Sequence, residues 1–300
     1  MAVGRKVYLA KLFYNCVLSM HSTIISSIKH HIYKARESET LMSEVSRIIC
    51  VLMPHAFLVA GLNSSGKIKL AQYYGYDKQL EPWHNDFFEQ VLKNEPLLGD
   101  LSILPKVFIA SGKQIIVPDE LYNKEDAEAW LRSMHFVEAD EAVYEYHLDD
   151  DKAQLVFAAP HTGEALAKRY FNHATIRPLN AYQYKCEETD IPYFAHGTFM
   201  EESGWISLRK KGKLLWNHYF TYGNAEEIAY YLASACKEHD IPHSELTIQF
   251  GVVCPELQHL AAELKAFFPS LRDDNVSPDA SYQSWAPVLY MIQQINKCVS

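Results

Sequence analysis

The run VSRIICVL at 45–52 is apolar and rich in β-branched residues, and HAFLVAGL at 55–62 follows across a very short connection, which predicts two antiparallel strands joined as a hairpin. The turn NSSG at 63–66 leads into KIKLAQYYGY, where Ile68, Leu70 and Gln72 alternate with Lys67, Lys69 and Ala71, the period of a third strand. Pro82 suits a first helical position. Trp83, Phe87 and Val91, with Phe88 and Leu92, form an i, i+4 apolar stripe that should lie on the sheet.

The same order recurs about 147 residues later. IPYFAHGTFM and GWISLRK form a hairpin, KKGK is the next turn, and LLWNHYFTY supplies the third strand. Asn224 is a good N-cap with Glu227 three residues on, and Ile228, Tyr231, Leu232 and Ala235 make the buried stripe of a helix. LTIQFGV at 246–252 reads as a buried strand, and Pro255 opens a helix with Leu257, Leu260, Ala261, Leu264 and Phe267 on one side. The unit is therefore βββαβα. In the first half the pattern continues with KVFIA and QIIVP around Gly112, a capped helix from Asn123 carrying Trp130, Leu131 and Met134, strands near 143–148 and 153–159 joined by DDDK, and a helix at about 162–171. The polar CEETD at 186–190 marks the boundary, giving units at 42–187 and 188–300.

Charge sets the beginning of the chain apart. Residues 1–41 hold six basic side chains (Arg5, Lys6, Lys11, Lys29, Lys34, Arg36) and two acidic ones (Glu37, Glu39), a net of +4, which leaves −13 for the remainder. The apolar stretch LFYNCVLSM is too short to span a bilayer, and SMHST offers no small-x-small cleavage site, so neither a transmembrane helix nor a secretory signal is expected. These residues read as an atypical basic leader outside the fold, and the domain, with translation itself, is expected to start near Met42.

Composition bounds the class. With 300 residues, 48% of them hydrophobic and 22% charged, the chain is globular and long enough to hold a core without disulfide or metal. A net charge of −9 disfavours general affinity for nucleic acid or anionic membrane. The six cysteines, Cys16, Cys50, Cys186, Cys236, Cys254 and Cys298, contain no CxxC pair, which points to reduced thiols and a cytoplasmic location.

A three-stranded meander followed by helix, strand and helix is the ribonuclease H-like unit, and two in tandem resemble the actin-like ATPase architecture: α/β, with mixed sheets and helices. LPKVFIASGKQIIVPDELY at 104–122 and GKLLWNHYFTYGNAEEIAYYL at 212–232, with the LTIQFG that follows, resemble a bacterial family of unknown function placed among the actin-like ATPase folds. The resemblance covers about 42–270 and implies a fold, since that family has no assigned activity.

The actin-like resemblance also implies where phosphates would bind: turns between the first two strands of each half, usually Asp-x-Gly with Ser or Thr. Glycine there lets backbone amides reach the phosphates, and the carboxylate holds Mg2+ through water. The first such turn, LMPHAF at 52–57, has neither carboxylate nor glycine, and Pro54 removes a donor. The second, FMEESGW, offers Glu201, Glu202, Ser203 and Gly204, the right residue types in the wrong order, with two acids that repel phosphate unless a metal intervenes. No GxxxxGK[ST] loop, GxGxxG after a strand or GxSxG elbow occurs. The opening strands lack the carboxylates of a two-metal nuclease, and the acidic run Asp149, Asp150 and Asp151 reads as a solvated hairpin tip. His30 with His31, and Cys254 with His259, lack zinc-ligand spacing, and His55, His161 and His218 are isolated.

The expectation is thus a catalytically silent protein-interaction module with no catalytic residues, metal or cofactor and an unidentified protein partner. Two alternatives stay open. One is a divergent actin-like ATPase using Glu201, Glu202, Ser203 and Gly204. The other is an RNA-associated factor binding through Arg209, Lys210, Lys211 and Lys213, beside Trp205, Trp216 and Tyr219.

Overall fold

Strands whose sequences are apolar on both faces must be covered on both faces, and this requirement organises the molecule. The computed structural model describes residues 28–35, 41–99, 102–171, 174–185, 190–272 and 280–298. In chain order the main elements are β1 (Lys29–Lys34), β2 (Arg47–Met53), β3 (Ala56–Leu62), β4 (Ile68–Gly75), α1 (Asn85–Asn94), β5 (Lys106–Ile109), β6 (Gln114–Pro118), α2 (Ala127–Met134), β7 (Glu141–Leu148), β8 (Ala153–Pro160) and α3 (His161–Tyr170). They continue with β9 (Ile176–Pro178), β10 (Tyr193–Phe199), β11 (Ser203–Lys210), β12 (Lys213–Thr221), α4 (Ala225–Glu238), β13 (Leu246–Val252), α5 (His259–Phe267) and α6 (Ala286–Cys298).

A six-stranded sheet runs β1-β4-β3-β2-β5-β9, and a four-stranded sheet runs β12-β11-β10-β13. In both, the meander is antiparallel and the strand after the first helix joins parallel to the meander's first strand, β5 on β2 and β13 on β10. This is the mixed α/β pattern expected from the repeat. A third, antiparallel sheet, β6-β8-β7, carries α2 and forms a lobe on the first unit.

Alternate residues of β2 and β3 feed two cores. Ile48, Cys50, Leu52 and Val59 meet Phe87, Phe88 and Leu92 of α1. Ile49, Val51, Leu58 and Ala60 join a core that continues through Trp205, Ile248, Met291 and Ile292, so the two larger sheets share one apolar interior. α6 fills it: Val288, Leu289, Met291, Ile292 and Ile295 are buried, and Arg47 donates to Asn296 at 3.3 Å. Gly251 of β13 is what lets this helix approach, because a Cβ there would stand 2.6 Å from Met291 Cβ.

Four local expectations are corrected. Lys29–Lys34, assigned by charge to a leader outside the fold, pairs antiparallel with β4 as an edge strand, so the fold includes residues before Met42. Its alternation is short and half polar, as suits an edge. Residues 1–27 lie outside the described residues, as do Cys186 and most of CEETD. The first helix begins at Asn85, because Trp83 sits at φ 60, in the left-handed region, and donates its N–H to the Pro54 carbonyl at 2.6 Å. Lys69 points inward and is matched by Glu44 at 2.5 Å. On α5, Leu260 and Leu264 are buried but Phe267 is exposed, and Phe268 takes its place in the core. Asn224 caps α4 by accepting from the Glu227 N–H at 2.9 Å, while the Glu227 carboxylate accepts from Gly223, as the sequence predicts.

Candidate functional site

The two first-hairpin turns of the repeat face each other across a cleft of about 240 Å³ lined by Pro54, His55, Tyr76, Lys78, Glu201 and Ser203, among others. Each turn is held by its own unit. The Pro54 carbonyl accepts from Trp83 N–H and lies 2.8 Å from the Tyr76 hydroxyl. The other turn is closed by the Met200 N–H donating to Ser203 O at 2.8 Å, and the Tyr222 hydroxyl donates to the Met200 carbonyl.

Charge in the cleft is partly met by the protein's own ion pairs, one lysine against two carboxylates. Lys78 Nζ reaches Glu201 Oε2 at 2.9 Å and Glu202 Oε1 at 2.6 Å, bridging the units. Burial by itself would lower the Lys78 pKa, but Glu202 and Glu201 hold it above the ordinary value. Beside them Glu201, Cys254 and Glu256 place their ligand-type atoms within 4.8 Å of one another. Glu256 is bound by Lys29 at 3.2 Å and faces His31 at 3.4 Å. Burial, reinforced by Glu201, pushes the Cys254 thiol up to about 12, so at neutral pH it is a protonated thiol and a poor nucleophile. The His55 pKa is lowered, by burial first and then by Lys78.

Of the second turn, Glu201, Glu202 and Ser203 line the cleft, and Gly204 does not. Gly204 lies in β11 opposite Phe199, and a Cβ there would come within 2.5 Å of the Phe199 ring and 2.7 Å of the Thr198 carbonyl. Its glycine serves hairpin packing rather than a phosphate cradle. Gly204→Ala should therefore cost about 1–3 kcal/mol of folding free energy. Urea unfolding measures this, and an unchanged midpoint would refute the packing role.

A nucleotide triphosphate finds a poor fit in this donor set: the facing turns present a proline and two acids, and Lys78, which bridges them, is engaged by both acids.

The remaining sequence candidates scatter. Arg209, expected at a solvated basic turn, is instead buried, with its side chain 1% exposed; it grips Asp151 through two bonds, at 3.1 and 2.7 Å, and donates to Tyr184 O and Gly212 O. A guanidinium can sit there because its two terminal nitrogens make four bonds to oxygen acceptors, leaving Nε as its buried N–H without a partner. Lys210, Lys211 and Lys213 remain exposed, Lys210 lying over the Tyr193 ring, while Trp205 is wholly buried. Asp149 is solvated as expected, but Asp151 is not. His30 and His31 lie on β1; His161 opens α3 near Glu164; His218 packs among Phe220 and Tyr231; His259 bonds the Glu256 carbonyl. Among the described residues Cys50, Cys236, Cys254 and Cys298 form no disulfide. Lys78, Cys254 and Glu256 were not singled out together by sequence; only the offset that superposes Met53 on Met200 hints that these turns meet.

No protein of curated function matches the chain. A Bacteroides thetaiotaomicron protein with actin-like ATPase fold and unknown function is similar at a TM-score of 0.63 and 15% identity, over 77% of this chain and 91% of its own. A chain of the PilM–PilN type IV pilus biogenesis complex is similar at a TM-score of 0.56 and 13% identity, over 86% of this chain and 99% of its own. These likenesses establish the actin-like ATPase fold. Residues 37–271 match the family described as protein of unknown function (DUF3822), and the chain belongs to that family.

Proposed function

We propose that this protein is a catalytically silent, actin-like module that works by binding another protein, in the cytoplasm. The observation that carries the reading is the Lys78 bridge to Glu201 and Glu202, which places the protein's own ion pairs where this fold would hold phosphates. Without glycine-backed amides on the cleft side, the hairpins present two like charges to a triphosphate, with only His55 and Ser203 beside them among the described polar residues of the two turns. One solved neighbour of this fold stands in a complex with a second protein, which supports a partner-binding use of the scaffold. No helix among the described residues is long and apolar enough to cross a membrane.

Calorimetric titration of the full chain with Mg-ATP and Mg-ADP should give no binding heat. Micromolar affinity for either would overturn the reading.

A further inference from the structure

Four large apolar side chains stand exposed between positions 121 and 136, on the three-stranded lobe: Leu121 (63%), Trp130 (38%), Met134 (71%) and Phe136 (82%). On α2, Ala127 and Leu131 are buried, while Trp130 and Met134, which flank the same stripe three and seven residues on from Ala127, stand exposed along its margin. Phe136 follows directly after the helix, where His135 turns the backbone extended. Single exposed apolar residues need no explanation, but four within one short segment of a small lobe mark a contact surface.

The chain around that face is strongly acidic. Residues 119–141 hold eight carboxylates and two cations, a net of −6 out of −9 for the whole protein. Arg132 is engaged by Glu128 at 2.7 Å and by the Val137 carbonyl at 2.9 Å. Glu120, Glu125 and Asp140 are exposed. Lys113 meets Glu138 at 3.5 Å and Glu141 at 2.7 Å, and an apolar centre beside the remaining, mainly acidic side chains selects for a basic partner. A second copy of this chain brings the same acids and is repelled.

We infer that the exposed apolar margin of α2, with Phe136 just beyond it, docks a basic amphipathic segment of a partner protein. Its apolar side chains cover Trp130, Met134 and Phe136, and its lysines or arginines meet the carboxylate rim. The inference rests on the interaction reading and deepens it by naming the surface and the partner's chemistry, away from the cleft.

The test uses the full-length chain and a synthetic helical peptide of about 16 residues, with leucines at i, i+3, i+4 and i+7 and lysines elsewhere, followed by fluorescence anisotropy at physiological salt. A counterpart with glutamates replaces the lysines. The lysine peptide should bind, and Met134→Ser with Phe136→Ser should weaken it at least about tenfold. Both positions are exposed, so the fold survives, as an unchanged melting temperature will verify. Glu120→Gln with Glu125→Gln and Asp140→Asn should weaken binding and flatten its salt dependence, whereas Glu226→Gln with Glu238→Gln on α4 should leave it unchanged. Absent binding, equal binding of the glutamate peptide, or equal binding to the Met134→Ser, Phe136→Ser variant overturns the inference. A parent that sediments as a dimer while that variant sediments as a monomer also overturns it, assigning the face to a second copy. Any of these failures leaves the nucleotide titration, and the reading it tests, intact.

Discussion

Arg209→Met should lower the folding free energy by about 3–5 kcal/mol, the cost of leaving a buried charge without its partner. The guanidinium is almost wholly buried and saturates Asp151, the Tyr184 carbonyl and the Gly212 carbonyl. Removing it strands the Asp151 carboxylate, whose side chain is only 10% exposed. The pair ties the β7–β8 turn of the lobe to β11 of the four-stranded sheet, so amide exchange should quicken in β7 and β8 before the rest of the molecule. The double variant Arg209→Met, Asp151→Leu should recover much of the loss, because an apolar replacement of both charges needs no desolvation repayment. Urea unfolding of the three variants measures all of this. A single-variant cost below about 1 kcal/mol would put the pair in the class of solvated surface bridges and refute the account.

His196 should make stability fall with acidification well above the range where carboxylates titrate. Burial, aided by the positive charges of Arg209 and Lys297, lowers its pKa to about 3. The ring sits among Tyr182, Phe194 and Tyr290, with Nε2 at 3.3 Å from the Tyr290 hydroxyl. In the unfolded chain the imidazole titrates near its ordinary value of about 6.5. Between those two values the unfolded state binds a proton that the folded state refuses, so stability declines as pH drops below about 6.5, by at most about 1.4 kcal/mol per pH unit, until the folded ring also protonates. His55 and His218, also lowered by burial, add to the parent's slope, and Glu95, raised by burial, opposes it at lower pH. All three are shared by His196→Gln, so the difference between parent and variant isolates this residue. Urea midpoints at pH 7, 6 and 5 should converge for the two proteins as the pH falls. Parallel profiles would show that His196 protonates freely in the folded state.

Much of the fold is legible along the chain because its signals are short-range. The βββαβα order, the Asn224 cap with Glu227, and the stripes of α1 and α4 each depend on residues a few positions apart. The failures share a cause. β1 is too short and polar to signal itself without β4 beside it, and α6 owes its burial to two sheets that flank it. Pro82 was a sound start signal, defeated by the left-handed turn at Trp83 that binds Pro54. At the site, the poor phosphate chemistry of both turns was readable from Pro54, Glu201 and Glu202, while the pairing of Lys78 with both acids was not.

From its residues alone, this chain declares a duplicated α/β frame and turns ill-suited to phosphate, since periodicity, caps and turn composition are local properties. Its three-dimensional packing alone decides that Arg209 is a buried tie rather than a basic surface, that Gly204 packs a hairpin, and that Lys29 reaches Glu256 across 227 positions. A charge's fate depends on its dielectric surroundings and its partner, and both are supplied by segments far away in sequence.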